Sequence, residues 1–447
     1  MASFHVVSCE PELLSEGVAN YPEDGNLYKI WTISSTKQVK ALSLSLPGVV
    51  FIEYDAKLGL SSAPAQPASS DTTTSGSDTT QPEEAQGRVV AEVIVVSDAI
   101  ELLESLELVP LDDEKENQGF EFRVKNQNAE LKGSLITNVW VSDKHALTDL
   151  ICNSAEVVLD SAVLVLDDPE ADVQLRACNG ANLYLSSHQG LSLRSLSAVV
   201  HGTGRCQLLT PSINIQNMLG LIVWGPSIVL LMCPAISASI ITSAVIKDGD
   251  VGVYTKALKA DDMFSVVGLS GAINFTGYGA VLRQTTGVGV NGEVNTGRIM
   301  SGTATAYFGW SGRALVQAVH DLDVKSLFSG TVEYANPKPA AITESSWLWW
   351  RADKTPSEIV KPTTNLATKL YEVRNPPPRQ LMPVHYFVNK GKFYINKGKI
   401  PGLIRAEEYS WTSRYSTELG VAATVGAAAL FVARRRSAQL AQQVLKK

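Results

Sequence analysis

From about Asn138 to Tyr334 the sequence is written almost entirely in short apolar runs that alternate with period two. In "AEVVL" the residues Ala155, Val157 and Leu159 share one side, and in "ANLYL" the residues Ala181, Leu183 and Leu185 do the same. The runs "VQLRA", "LSLRS", "INIQN" and "INFTG" repeat the pattern. Period two sends alternate side chains to opposite faces of a strand. Between the runs stand Asp-Pro, Asn-Gly, Gly-Thr-Gly and Asp-Gly, which are turn sequences. A chain that turns this often has no room for long helices. It can bury its apolar sides only by coiling and stacking its short strands.

A longer repeat is superposed on this pattern. "CNSAEVVL" begins at Cys152 and "CNGANLYL" at Cys178, and Cys206 and Cys233 follow, at intervals of 26, 28 and 27 residues. About three short strands fit each interval, which is the coil of a parallel β-helix. Equivalent positions on successive coils lie about 4.8 Å apart, so the spacing predicts Cys152 and Cys178 heading neighbouring rungs. A single coil does not fold alone. About eight inward side chains, each worth roughly 1.5–3 kcal/mol on burial, do not offset roughly 1–2 kcal/mol of backbone entropy per ordered residue. Stacked coils stand together, and the end coils need covers. The N-terminal runs "LYKIWTI", "VKALSLSL" and "GVVFIEYDA", with the helical period of "AIELLESLEL" at Ala99–Leu108, are expected to supply one.

Two stretches carry a family resemblance. "GSLITNVWVSDKHALTDLICNSAEVVL" (Gly133–Leu159) and "GEVNTGRIMSGTATAYFGWSGRALVQAVHDLDVKSLFSGTVEYANPKP" (Gly292–Pro339) resemble the opening and closing coils of the GIN domain, an autotransporter-type adhesin head. The resemblance spans about residues 40–340. It implies a right-handed parallel β-helix or β-solenoid and an adhesion-like role, and it brings no catalytic residues to transfer.

Composition limits the remaining readings. Residues 351–447 hold 17 Lys/Arg and 6 Asp/Glu, net +11, against 21 and 39 in residues 1–350, net −18. An acidic body repels phosphates, which argues against nucleic acid as a partner. A basic tail suits an anionic membrane surface. "SSAPAQPASSDTTTSGSDTTQPEEAQG" (Ser61–Gly87) lacks Val, Ile, Leu and every aromatic residue, so a disordered insertion is expected there. The start "MASFHVVSCEPELLSEG" has neither a basic n-region nor an apolar run of signal length, which points to a cytosolic body.

Several motifs also admit plain structural roles. "GVGVNG" (Gly287–Gly292) matches a dinucleotide fingerprint but is followed by turn and strand residues rather than a helix. "HGTGRC" (His201–Cys206) is expected to be a solenoid corner. The pairs Asp167-Asp168 and Asp261-Asp262, with His320, Asp321 and Asp323, are the candidates for a polysaccharide-cleaving site, which needs carboxylates converging on one face. The four spaced cysteines are expected in the core, since reactive thiols need basic neighbours. No cofactor or metal is expected, because the five cysteines form no CxxC pair.

After Tyr334 the period stops. "EVRNPPPRQLMP" reads as extended, and "VHYFVNKGKFYINKGKI" (Val384–Ile400) as a hairpin about Asn389. Trp347, Trp349 and Trp350, beside Arg351, suit either a membrane boundary or the open side of the solenoid. "LGVAATVGAAALFVA" (Leu419–Ala433) is uncharged and precedes Arg434, Arg435 and Arg436. Its apolar residues Leu419, Val421, Val425, Leu430, Phe431 and Val432 make it a candidate tail anchor. At about 22 Å it is shorter than the ~30 Å hydrocarbon core, a gap that arginine snorkelling and local thinning can close.

The chain is therefore expected to be all-β: solenoid strands at 1–60, an insertion at 61–87, the solenoid proper at 88–340, an extended basic stalk with a hairpin at 341–417, and an anchor helix with a basic tail at 418–447. The expected function is a non-enzymatic, membrane-tethered binding, adhesion-like or scaffolding module for a protein or glycan ligand. A mitochondrial outer or peroxisomal membrane fits its tail. The alternatives are a carbohydrate-active β-helix enzyme, a lyase or hydrolase, and a cell-surface adhesin exported by another route. In the surface reading the sequon Asn274-Phe275-Thr276 would carry a glycan.

Overall fold

The computed structural model describes residues 4–13, 26–60, 87–112, 118–125, 130–327, 330–346, 360–367, 369–389 and 392–395. The expected insertion up to residue 86, the three tryptophans at 347–350 and the whole of 418–447 lie outside them. The described residues are overwhelmingly β-strand, and they divide into two compact units.

The first unit draws on Met1–Leu150, Ala155–Val165 and Pro377–Gly398. Its sheet pairs Leu27–Ser35 antiparallel with Arg88–Ser97, which pairs antiparallel with Glu130–Val141. Val49–Tyr54 joins the last of these in parallel. Val49, Phe51, Ile94, Val96 and Ile136 from these strands form a buried apolar cluster. A second parallel pair, Ala41–Ser45 with Gln118–Val124, contributes the fully buried Phe120 and Phe122. The Phe122 ring meets Trp31 edge-on at 5.0 Å.

The helical period of Ala99–Leu108 is realised only as the short helix Ile100–Glu104. From Leu106 to Asp112 the chain is a strand, paired antiparallel with Gln118–Val124. Burial of alternate residues against a neighbouring strand outweighed the helical spacing. Met382–Asn389 pairs antiparallel with Lys392–Ile395 through Asn389↔Lys392, so the expected hairpin forms. Its first strand also docks antiparallel on Glu130–Val141.

The second unit, Ile151–Ser154 with Leu166–Pro376, is a β-solenoid. The long strands Asp167–Cys178, Leu191–His201, Ser212–Trp224, Ala235–Val245, Ala257–Val267 and Gly279–Val288 stack in parallel, one per coil. The short strands Asn182–Ser186, Arg205–Leu209, Ile228–Met232, Gly249–Tyr254 and Gly271–Thr276 form a second parallel ladder. A bulge between Leu193 and Ser195 breaks the long strand into two segments, so each coil has the expected three straight pieces. Between coils stand residues such as Gly202, whose φ of +92° suits glycine at the corner of "HGTGRC".

The inward columns are apolar and continuous. Leu196, Leu219, Ile241 and Met263 stack in register, and each is almost wholly buried. The coil is shorter than the cysteines suggested. Leu183 pairs with Cys206, 23 residues on; Ala272 pairs with Glu293, 21 on; Ala314 pairs with Val332, 18 on. Cys178 lies beside His201, and Cys206 lies between Leu183 and Val229. Cys152 and Cys178 do lie on neighbouring rungs, where the Ser154 N–H donates to Cys178 O at 3.2 Å and Asn179 Nδ2 to Asn153 Oδ1 at 3.4 Å. The later intervals exceed the coil, because a buried thiol such as Cys206 substitutes freely for Leu or Val in the inward columns.

Candidate functional site

The solenoid has two outer surfaces of opposite character. On the long strands, past the bulge, three adjacent rungs face outward through Ser195, Ser197, Val199 and His201; Met218, Gly220, Ile222 and Trp224; and Ile240, Thr242 and Ala244. Alternation with the buried inward residues fixes these orientations. None of the eleven is a carboxylate, lysine or arginine. Met218 and Trp224 are 39% and 37% exposed, and the His201 and Trp224 rings lie 5.9 Å apart along one edge. At strand spacing the three rungs make a flat patch of roughly 10 Å by 20 Å. On the next rung Phe264 and Val266 follow Thr242 and Ala244, and an ion pair bounds the column of Ile240. Arg283 Nε and Nη2 donate to the two carboxylate oxygens of Asp262 at 2.6 and 2.5 Å, and Asp262 is buried.

The outer surface of the short strands is covered and largely polar, with one apolar rung, Ile228, Leu230 and Met232, set among its polar neighbours. Arg205, Gln207, Asp250, Gly252, Tyr254, Asn274 and Asn295 point outward in register, yet Arg205, Gln207, Asn274 and Asn295 are at most 5% exposed. The cover is the segment from Val360 to Pro376, which opens as a rung strand, Val360–Thr363, and then runs back across the coils. Asn295 Nδ2 donates to Ala367 O at 2.9 Å. Lys369 Nζ reaches Asp250 at 2.7 Å. Tyr254 Oη accepts from the Tyr371 N–H, and Asn274 Nδ2 donates to Tyr371 Oη at 2.7 Å. Arg205 Nη1 donates to Glu372 O at 2.7 Å.

Gln207 behaves as a backbone amide would. Its Nε2 donates to Arg374 O at 2.8 Å, and its Oε1 accepts the Arg374 N–H at 3.0 Å. Gly252 leaves the space that the Tyr371 ring occupies, since a Cβ there would lie 2.5 Å from ring carbon Cδ2. Burial pushes the Tyr371 phenol well up, with Asp250 adding to the effect, so it stays protonated. Burial, then the nearby Arg374 charge, lowers the Arg205 guanidinium.

The sequence candidates fall as follows. Asp168 sits on the first long strand, exposed, with Oδ1 accepting the Glu170 N–H. Asp262 lies four rungs away, about 19 Å at strand spacing and in another column. Asp321 is exposed beside Thr303, and Asp323 is held by Lys325 at 3.0 Å. Asp168 and Asp262 are not brought within the ~5–10 Å that acid–base pairs on a glycosidic bond span, and of the neighbouring pair Asp321 and Asp323 the second is held in the ion pair with Lys325.

"GVGVNG" is the end of a strand and a turn, and the strand Glu293–Phe308 follows it. Cys152, Cys206 and Cys233 are buried and Cys178 is half-buried, all as free thiols. Burial pushes the thiols of Cys206 and Cys233 up to about 12 and about 11. The sequon asparagine, Asn274, is beneath the covering segment.

The expected anchor residues Leu419, Val421, Val425, Leu430, Phe431, Val432, Arg434, Arg435 and Arg436 lie outside the described residues, as do Trp347, Trp349 and Trp350. Among the described residues no helix is long and apolar enough to cross a membrane, and no group of His, Cys, Asp and Glu is placed to hold a metal ion.

No family model matches the chain, and no curated protein does. Solved structures are similar to it at low identity. One is a candidate adhesin from Parabacteroides merdae, at 10% identity and a TM-score of 0.32, covering 75% of this chain and 94% of that one. A candidate adhesin from Parabacteroides distasonis shares 12% identity at a TM-score of 0.32, covering 71% and 93%. A candidate lipid-binding protein from the same organism shares 13% at 0.35, again covering 71% and 93%.

Sequence reading missed that Met218, Ile222 and Trp224 share an outer face with Val199 and Ile240, which needs the coil register. It also missed the covering segment, which carries no period.

Proposed function

We propose that this chain is a non-enzymatic binding module of the GIN type, wound right-handed and tethered to a membrane by its C-terminus, with its body in the cytosol. The uncharged three-rung face around Met218, Ile222 and Trp224 is its ligand surface. One observation carries this reading: in a body of net charge −18, eleven outward positions hold no carboxylate, lysine or arginine, and two large side chains among them stay over a third exposed. Exposed apolar patches of a few hundred Å² mark interaction sites. Trp224 at the edge offers a flat ring for an apolar protein surface or a sugar face. The wide separation of Asp168 from Asp262 supports binding over glycan cleavage, and the sequence of 419–436 supports the tether.

The face is tested with a photoreactive side chain at Met218 in intact cells. A discrete adduct is expected there and not at Lys259 on the neighbouring face, and Trp224→Asp should remove it. Equal labelling at both positions overturns the assignment. The tether is tested by protease protection on organelles with tags at both ends. A surviving short C-terminal tag supports it, and recovery of the whole chain in the soluble fraction removes it.

A further inference from the structure

We propose that the short-strand face is a second, separate binding site, for an extended basic peptide with a lysine two residues before a tyrosine, and that residues 363–376 occupy it as a releasable latch. The contacts read like recognition of a ligand. Every polar side chain named on the face meets either the main chain of the latch or one of two side chains. Ala367 O, Tyr371 N and O, Glu372 O, and Arg374 N and O are the main-chain partners. The side chains read are Lys369, on Asp250, and Tyr371, on Gly252 and Asn274. These two are the alternate residues that an extended segment turns to one side. The charge is complementary, since residues 360–376 carry Lys361, Lys369 and Arg374 against Glu372, net +2, over an acidic body.

The latch is also held lightly for its length. From Lys361 to Pro376 only Tyr371 is buried among the described residues, and Leu370 and Val373 are 75% and 41% exposed. The ladder beneath it is continuous strand with apolar inner columns. Segments with few buried apolar contacts open first. When the latch opens, Arg205, Gln207, Asn274 and Asn295 become free to take the same contacts from another chain. In cis the latch competes at the high effective concentration of a tethered segment, so the closed protein binds such a peptide poorly.

The test uses the full chain and a fluorescent peptide of residues 363–376. Tyr371→Ala removes the cis anchor, and the peptide is expected to bind this variant at least ~10-fold more tightly than wild type. Adding Gly252→Val fills the ring site and should abolish binding. A peptide with alanine at position 371 or glutamate at position 369 should bind neither protein. Circular dichroism on each variant confirms that the solenoid is folded. No binding to a folded Tyr371→Ala protein overturns the proposal, as does binding that survives Gly252→Val. Hydrogen exchange in wild type gives a second reading without any variant. The Tyr371 and Arg374 amides should exchange at least ~100-fold faster than those of Val251 and Val253. Equal rates would mean that the latch opens only with global unfolding, and the releasable site would be lost.

Discussion

The two outer faces of the solenoid invert the usual relation between side chain and solvent. On the short strands, arginine, glutamine and asparagine are buried; on the long strands, methionine and tryptophan are exposed. Buried polar side chains ordinarily mean satisfied hydrogen bonds, and exposed apolar clusters ordinarily mean a missing partner. The polar face already has its partner, in cis, and each of its bonds is accounted for. The apolar face borders it across a corner of the same coils, and on it Met218 and Trp224 stay over a third exposed. One ladder of backbone hydrogen bonds thus carries a closed surface and an open one. The difference lies only in which residues occupy the outward positions.

The comparison is broken most strongly at the edge of the open face. Arg283→Met leaves the buried Asp262 carboxylate without its cation and should cost about 3 kcal/mol in urea unfolding. Replacing both, Asp262→Leu with Arg283→Met, should recover most of that loss. On the closed face Tyr371→Ala removes the one buried aromatic of the latch, and about 3 kcal/mol is the expected cost. Here the loss should be local, visible as faster proteolysis after Lys369. Gln207→Leu leaves the main-chain N–H and C=O of Arg374 without their side-chain partner, and about 1–2 kcal/mol is expected. On the open face Met218→Thr and Trp224→Thr should change stability by no more than ~0.5 kcal/mol. A large loss at either position would show that the face is structural and closed after all.

How much of this was legible in the sequence follows from where information is stored. The all-β solenoid was readable because period two and turn residues are local and recur from Ala155 to Tyr334. The hairpin at Asn389 was readable for the same reason. The coil length was not, since a buried Cys206 or Cys233 can occupy any inward column while Cys178 faces outward beside His201, and the even spacing mimicked a register that the later coils do not keep. The strand Leu106–Asp112 was lost to a helical spacing that pairing overrode. The latch was illegible because an outward Gln207 or Asn274 looks the same in sequence whether water or a covering strand satisfies it. Only Gly252, a small residue in an outward strand position, hinted that something approaches closely there.

The smallest expected effect separates the faces by pH. At the start of the latch Arg313 donates to Glu333 at 2.9 and 2.8 Å and reaches Glu293 at 3.3 Å. The hydrogen bond from Arg313 holds the Glu333 carboxyl below its ordinary value, and Thr363 and Lys361 of the latch strand add to the shift. A carboxylate whose folded value is depressed gives stability that is present above its unfolded value and is lost as pH falls through the folded one. Arg313 is over a third exposed, so solvent screens the pair and its contribution is below about 1 kcal/mol. Acid should therefore loosen the latch strand from about pH 4 downward, seen as faster exchange at Val360–Thr363. Glu333→Gln should flatten that dependence while leaving the open face unchanged, because its three rungs carry no carboxylate to titrate. If acid instead hastened exchange first at the open-face amides of Val199 and Ile222, the division of the solenoid into a closed face and an open one would be wrong.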